Sequence, residues 1–130
     1  MTSTVTTSVP IADAAAEVGL TAHTLRYYER DGLMLRPVDR SPSGHRRYSP
    51  EDLRWVQLVT CLRATGMPIQ QVRAYAALVR SDDGNERERL ALLEAHRQRV
   101  LLRLTEVTEH LGAIEAKIGV YTDTLTTRAG

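Results

Sequence analysis

Four side chains suited to binding nucleic acid, His23, Arg26, Tyr27 and Arg30, recur at intervals of three and four in one short stretch. On a helix they share one face, while Leu25 and Tyr28 point elsewhere with Leu20 and Leu33. Arginine pairs with phosphate or bidentately with guanine, and tyrosine hydroxyls hold phosphates, so this face suits a DNA major groove. A basic helix face that is merely solvated has the same pattern. Just downstream, Arg36, Arg40, Arg46 and Arg47, with His45, stand against a single acid, Asp39, between residues 33 and 48. Pro37, Ser41, Pro42, Ser43 and Gly44 shape that stretch as a β-hairpin, a second cationic arm for backbone or minor-groove contacts. The alternative is a basic loop that serves only solubility.

Cys61 is the single cysteine of the 130 residues, which excludes an intrachain disulfide and a multi-thiolate zinc site. A reducing cytoplasm suits it. On a helix Cys61 shares a polar stripe with Arg54, Gln57 and Thr65, opposite Trp55, Leu58, Val59 and Leu62, so a small electrophile could reach the thiol. Inert packing is the competing role, because cysteine is among the most buried residue types. His96 and His110 lie about 21 Å apart along one helix and are expected to be solvated, so no metal site is expected. Without a phosphate-cradling glycine motif or a close His/Asp/Ser set, the chain reads as neither an enzyme nor a cofactor carrier. No apolar run approaches the roughly 18 residues of a membrane span, and Met1 to Ser8 is unlike a signal peptide.

These groups need elements to position them. Net charge is only +1, but ten basic against seven acidic residues fall at or before Arg80, and seven against nine after it, so the basic excess is N-terminal. Ser8 and Pro10 suit a helix entry, Gly19 a stop, Thr21 the cap of a second helix, and Asp31-Gly32 its end. Two helices joined by a Gly turn form a helix-turn-helix. Ser49-Pro50-Glu51-Asp52 starts a helix that runs to about Thr65, and Pro68 opens another that closes at Ser81 to Gly84. Beyond it Leu90, Leu93, Arg97, Val100, Leu104, Val107, Leu111, Ile114, Ile118, Tyr121 and Leu125 alternate steps of three and four, a sustained heptad seam. A helix over that length, about 55 Å, exceeds a core of roughly 13 Å radius and calls for a second chain; the alternative is a helix folded back on its own domain.

The expected fold is therefore mainly α: a flexible N-terminus (1–8), a winged helix-turn-helix DNA-binding domain (9–82), a long C-terminal coiled-coil dimerisation helix (85–125) and a flexible tail (126–130). The homodimer seam is Leu90, Leu93, Val100, Leu104, Val107, Leu111, Ile114, Ile118 and Tyr121.

Several of these runs match one family. Ile11 to Ala15, Gly19-Leu20-Thr21-Ala22-His23-Thr24-Leu25-Arg26-Tyr27-Tyr28-Glu29, Asp31-Gly32-Leu33, Ser43-Gly44-His45-Arg46-Arg47-Tyr48 and Glu51-Asp52-Leu53 strongly resemble the MerR family of bacterial transcription regulators. The resemblance covers about residues 10 to 125. One departure is His45, where the family commonly has tyrosine. The resemblance implies a dimer, joined by an antiparallel coiled coil, that distorts an overlong promoter spacer so that RNA polymerase can engage. The candidate DNA contacts are then His23, Thr24, Arg26, Tyr27, Arg30, Arg36, Arg40, His45, Arg46, Arg47 and Tyr48, with Arg26 and Arg46 foremost.

Trp55 to Met67 is similar to the corresponding helix of the aldehyde- and electrophile-responsive subgroup, in which a lone cysteine sits at this place, making Cys61 the candidate sensor. Metal-sensing members place ligands in the C-terminal part, where this chain has no cysteine. Drug-binding members carry a separate effector domain, whereas only Thr126 to Gly130 follow the seam here. A constitutive DNA-bending or recombination accessory protein, or a family member with a non-covalent effector, are the alternatives.

Overall fold

The computed structural model describes residues 7–81 and 83–130, so most of the expected N-terminal extension and Asp82 lie outside the described residues. In chain order the elements are β1 (Val9–Pro10), α1 (Ile11–Val18), α2 (Ala22–Arg30), β2 (Asp39–Arg40), β3 (Arg46–Tyr48), α3 (Pro50–Ala64), α4 (Ile69–Ser81) and α5 (Glu86–Ala129). This is the mainly α, winged helix-turn-helix plan followed by a long C-terminal helix.

Local chemistry sets most of the boundaries. Gly19 at φ 72° closes α1 in the left-handed region that only glycine adopts freely. Two residues later the Thr21 hydroxyl accepts the Thr24 N–H at 3.1 Å and caps α2. At α3, Ser49 and Asp52 form a reciprocal capping box, with Pro50 in the first turn. The side chain of Asn85, buried between α4 and α5, donates to the Leu78 carbonyl at 2.8 Å and the Ser81 hydroxyl at 2.9 Å. The chain divides into two compact units between Leu92 and Leu93, so the first unit takes in the opening turns of α5.

Two expectations about the termini change. Ser8 does not cap α1: the N-cap is Pro10, which has no capping side chain, and Val9–Pro10 instead forms an edge strand, where the missing proline N–H costs no ladder bond. The sheet order is β1-β3-β2, all antiparallel, with Val9 opposite Tyr48 and Arg40 opposite Arg46. At the other end, residues 126 to 129, expected to be a tail, belong to α5. The Thr124 and Thr126 hydroxyls donate to carbonyls one turn back, at 2.9 Å each, and no breaker precedes Gly130.

The core of the first unit gathers Ala14, Leu25, Leu33, Tyr48, Val56, Val59, Met67 and Val72, all fully buried. Leu25 is thus the inward face of the helix whose outward face carries Arg26. Leu25→Ala removes that anchor and leaves a cavity, so chemical denaturation should show a loss of about 2 to 5 kcal/mol.

Candidate nucleic-acid interface

Helix α2 presents the expected face. His23, Arg26, Tyr27 and Arg30 are exposed, while Leu25 and Tyr28 are buried behind them. Neither the Arg26 nor the Arg30 guanidinium is taken up in an ion pair with a described residue, so their full donor sets face outward. Thr24 is half-buried and its hydroxyl meets that of Thr21 at 3.0 Å, which ties it to the helix start. Tyr28 faces the other way, its hydroxyl 3.3 Å from the Thr60 hydroxyl on α3.

The β2–β3 wing uses its arginines differently from one another. Gly44, at φ 86°, turns the tip, where the Ser41 N–H donates to the His45 carbonyl and Arg40 Nη1 to the Gly44 carbonyl. His45 is exposed there. Arg36 forms a solvent-exposed pair with Glu51 at 3.3 Å, a contact of little energetic weight. Arg46 Nε meets Glu29 of α2 in an ion pair whose side chains are 27% and 20% exposed, so this guanidinium can reach DNA only with its remaining N–H groups. Arg47 donates to the Ser8 hydroxyl and carbonyl, fastening the N-terminal segment to the wing.

Tyr48 is a correction. Its side chain is fully buried and its hydroxyl has no hydrogen-bond partner among the described residues, so it does not contact DNA directly. Alternation along β3 puts Tyr48 and Arg46 on one side of the strand, the side that turns toward α2. Burial, then the Glu29 carboxylate, pushes the Tyr48 phenol above the ordinary tyrosine range, while the charges of Arg46 and Arg26 oppose the rise. The buried Tyr48 phenol thus lies within electrostatic reach of the Glu29–Arg46 pair.

Cys61 is exposed, on a stripe of α3 with Arg54 and Gln57; Thr65 is half-buried and its hydroxyl donates to the Cys61 carbonyl at 2.8 Å. Its neighbour Thr60 makes the contact with Tyr28. His110 is exposed as expected, but His96 is buried, and that burial, with Arg99 second, holds its pKa below the usual histidine value. Among the described residues no three His, Cys, Asp or Glu side chains come together as a metal site, and no helix is long and apolar enough to cross a membrane.

The signal missed in the sequence is the grip on the segment after α2 by Trp55, Arg73 and Arg80, which donate to its carbonyls; these residues lie far from it along the chain and belong to no local motif.

Residues 9–78 match the family model described as MerR HTH family regulatory protein. An HTH-type transcriptional regulator of Haemophilus influenzae is 36% identical over 110 residues, spanning 85% of this chain and 81% of the relative. The HTH-type transcriptional regulator AdhR of Bacillus subtilis is 42% identical over 91 residues, 70% of this chain and 64% of AdhR. Among solved structures, HiNmlR, a MerR family regulator lacking the sensor domain and bound to promoter DNA, superposes with a TM-score of 0.82 at 33% identity, covering 90% of this chain and 92% of that one. A MerR family regulator from Listeria monocytogenes follows at 0.81 and 35%, covering 88% and 86%.

Proposed function

The chain belongs to the MerR family of helix-turn-helix transcriptional regulators, and from that premise we propose that it binds promoter DNA as a homodimer and distorts the promoter in response to a signal received at Cys61. Helix α2 enters the major groove with Arg26, Arg30, Tyr27 and His23, while the wing places Arg36, Arg40, His45 and the free N–H groups of Arg46 along the flanking backbone. Arg47 and Thr24 act by holding these elements in place. The α5 seam joins two copies antiparallel, so two reading heads fixed at opposite ends of a stiff dimer can twist and bend the spacer between them. RNA polymerase is the partner that benefits, and the cytoplasm is the site of action. The promoter DNA in the HiNmlR structure supports this reading, and the regulators among the relatives support a role other than enzymatic catalysis.

The observation that carries the proposal is the exposed α2 face, where two arginines without an acidic partner flank Tyr27. Arg26→Ala should weaken specific binding by about 1 to 3 kcal/mol, and log K should fall with log salt by about 0.9 for each phosphate contacted. Anisotropy titrations over a salt series read both. Parental affinity and slope in Arg26→Ala and Arg30→Ala alike would remove α2 as the reading helix. Footprinting adds the biological context: a regulator protects a promoter spacer, whereas a DNA-bending accessory protein protects a recombination site.

A further inference from the structure

The segment leaving α2 is gripped by side chains of two other helices. The carbonyls of Asp31, Gly32, Leu33 and Met34 lie in the turn between α2 and the wing, outside helix and strand. Each accepts a hydrogen bond from α3 or α4. Arg73 Nε donates to Asp31 O at 3.4 Å, Arg80 Nη1 to Gly32 O at 3.3 Å and Met34 O at 2.7 Å, and Trp55 Nε1 to Leu33 O at 2.6 Å. Arg73 Nη2 also pairs with the Asp31 carboxylate. The Trp55 ring is stacked on Tyr75 of α4, with centroids 5.7 Å apart and planes 11° apart, so the donors from α3 and α4 are themselves braced together.

Beyond Met34 the carbonyl grip ends, and the next ties are the solvent-exposed Arg36–Glu51 pair and the buried Val38. Leu35, Arg36 and Pro37 border an open cavity of about 340 Å³ with Glu29, Met34 and Arg80, so packing is sparse between the buried Met34 and the buried Val38. The grip on residues 31 to 34 is the hydrogen-bonded anchor at the root of the wing.

We propose that Trp55, Arg73 and Arg80 are positioning residues for DNA recognition. They lock the exit of α2 to the root of the wing, so that both reading elements meet DNA as one rigid piece, and they tie that piece to the α3–α4 pair. A run of four unpaired carbonyls would otherwise act as a hinge, and ordering it would then draw on the free energy of DNA binding. The proposal rests on the reading of α2 and the wing as the DNA-contacting elements.

Its test uses Arg80→Met, Arg80→Lys and Trp55→Phe in the full chain, the last keeping an aromatic ring beside Tyr75 while removing the N–H together with part of the indole. The probe is a duplex selected from a random library by the parent protein, titrated over a KCl series. Amide hydrogen exchange of residues 31 to 38 is followed without DNA. Trp55→Phe should weaken binding about tenfold, the size of one net hydrogen bond, and Arg80→Met, which loses two, at least as much, both with the parental salt slope. Exchange at residues 31 to 33, whose amides are hydrogen-bonded to the last turn of α2, should quicken, and Arg80→Lys, which still donates to a carbonyl, should recover part of both. Unchanged affinity and exchange would overturn the proposal. So would a salt slope lower by about 0.9 in Arg80→Met, which marks a direct phosphate contact. If Arg80→Met does not fold, Trp55→Phe decides on the same two readouts. If the parent selects no duplex, the DNA-binding reading fails, while the exchange measurement still decides whether the grip holds the wing root.

Discussion

Leu111→Glu is expected to leave the protein monomeric and to reduce its affinity for an inverted-repeat site by orders of magnitude. Along α5, Leu90, Leu104, Val107, Leu111, Ile114, Ile118, Tyr121 and Leu125 are exposed in the single chain, from 50% for Leu111 to 66% for Leu125. Only Leu93 and Val100 of the seam are half-buried. A row of large apolar side chains at steps of three and four exceeds the scattered apolar exposure of ordinary monomers, and covering each fully is worth about 1.5 to 3 kcal/mol. In the proposed homodimer a second α5 supplies that cover with the same row. Glutamate at position 111 would place a carboxylate on the coil axis of both subunits, each costing several kcal/mol unless paired. DNA affinity should fall with dimerisation, because the second half-site is then met from solution instead of at the high effective concentration of a linked head. Sedimentation velocity and a gel shift on the same preparation check both effects. An unaltered dimer would mean that the subunits associate through another surface.

The parts of this fold legible in the sequence are those fixed by neighbours in the chain. Gly19, Thr21 and the Ser49–Asp52 box set helix ends within four residues of themselves, and the heptad seam repeats one local rule along α5. The recognition face was legible because a helix converts spacing directly into direction, and His23, Arg26, Tyr27 and Arg30 are exposed together as that rule requires. Strands of two and three residues carry too little alternation to be read, so Val9–Pro10 has the grammar of a helix entry until β3 pairs with it. The burial of Tyr48 and the Glu29 pairing of Arg46 were illegible for the same reason. The chemistry of both side chains suits DNA, but the pairing of a three-residue strand decides that one is buried and the other meets Glu29. The grip of Trp55, Arg73 and Arg80 joins positions 22 to 48 residues apart, and arginines bonded to turn carbonyls leave no pattern that distinguishes them from solvated ones.

Cys61→Ser should abolish the response to the inducing signal while operator affinity without inducer stays within about tenfold, or roughly 1.4 kcal/mol. The thiol is exposed on the outer stripe of α3, away from the α2 face, so the nearly isosteric hydroxyl disturbs neither core nor reading head. On the proposed reading, its position gives an adduct a short route to the α2 face. Thr60, the preceding residue, meets the Tyr28 hydroxyl on the back of α2, and Trp55 on the same helix holds the Leu33 carbonyl at the end of α2. A shift of α3 caused by a bulky or charged adduct therefore reaches both the middle and the exit of the recognition helix, and would bias the dimer between two DNA-bound geometries. With one thiol per chain, the modified state is a covalent adduct, a mixed disulfide with a small thiol, or a bond between subunits. Intact mass after treatment separates these by the mass added. The deciding comparison is an operator-driven reporter challenged with methylglyoxal, formaldehyde, a quinone and an S-nitrosothiol, in parent and Cys61→Ser cells. Loss of response in the serine variant, with the matching mass on the parent, assigns the sensor to Cys61. A full response in the serine variant would make the thiol structural and the effector a non-covalent ligand bound elsewhere.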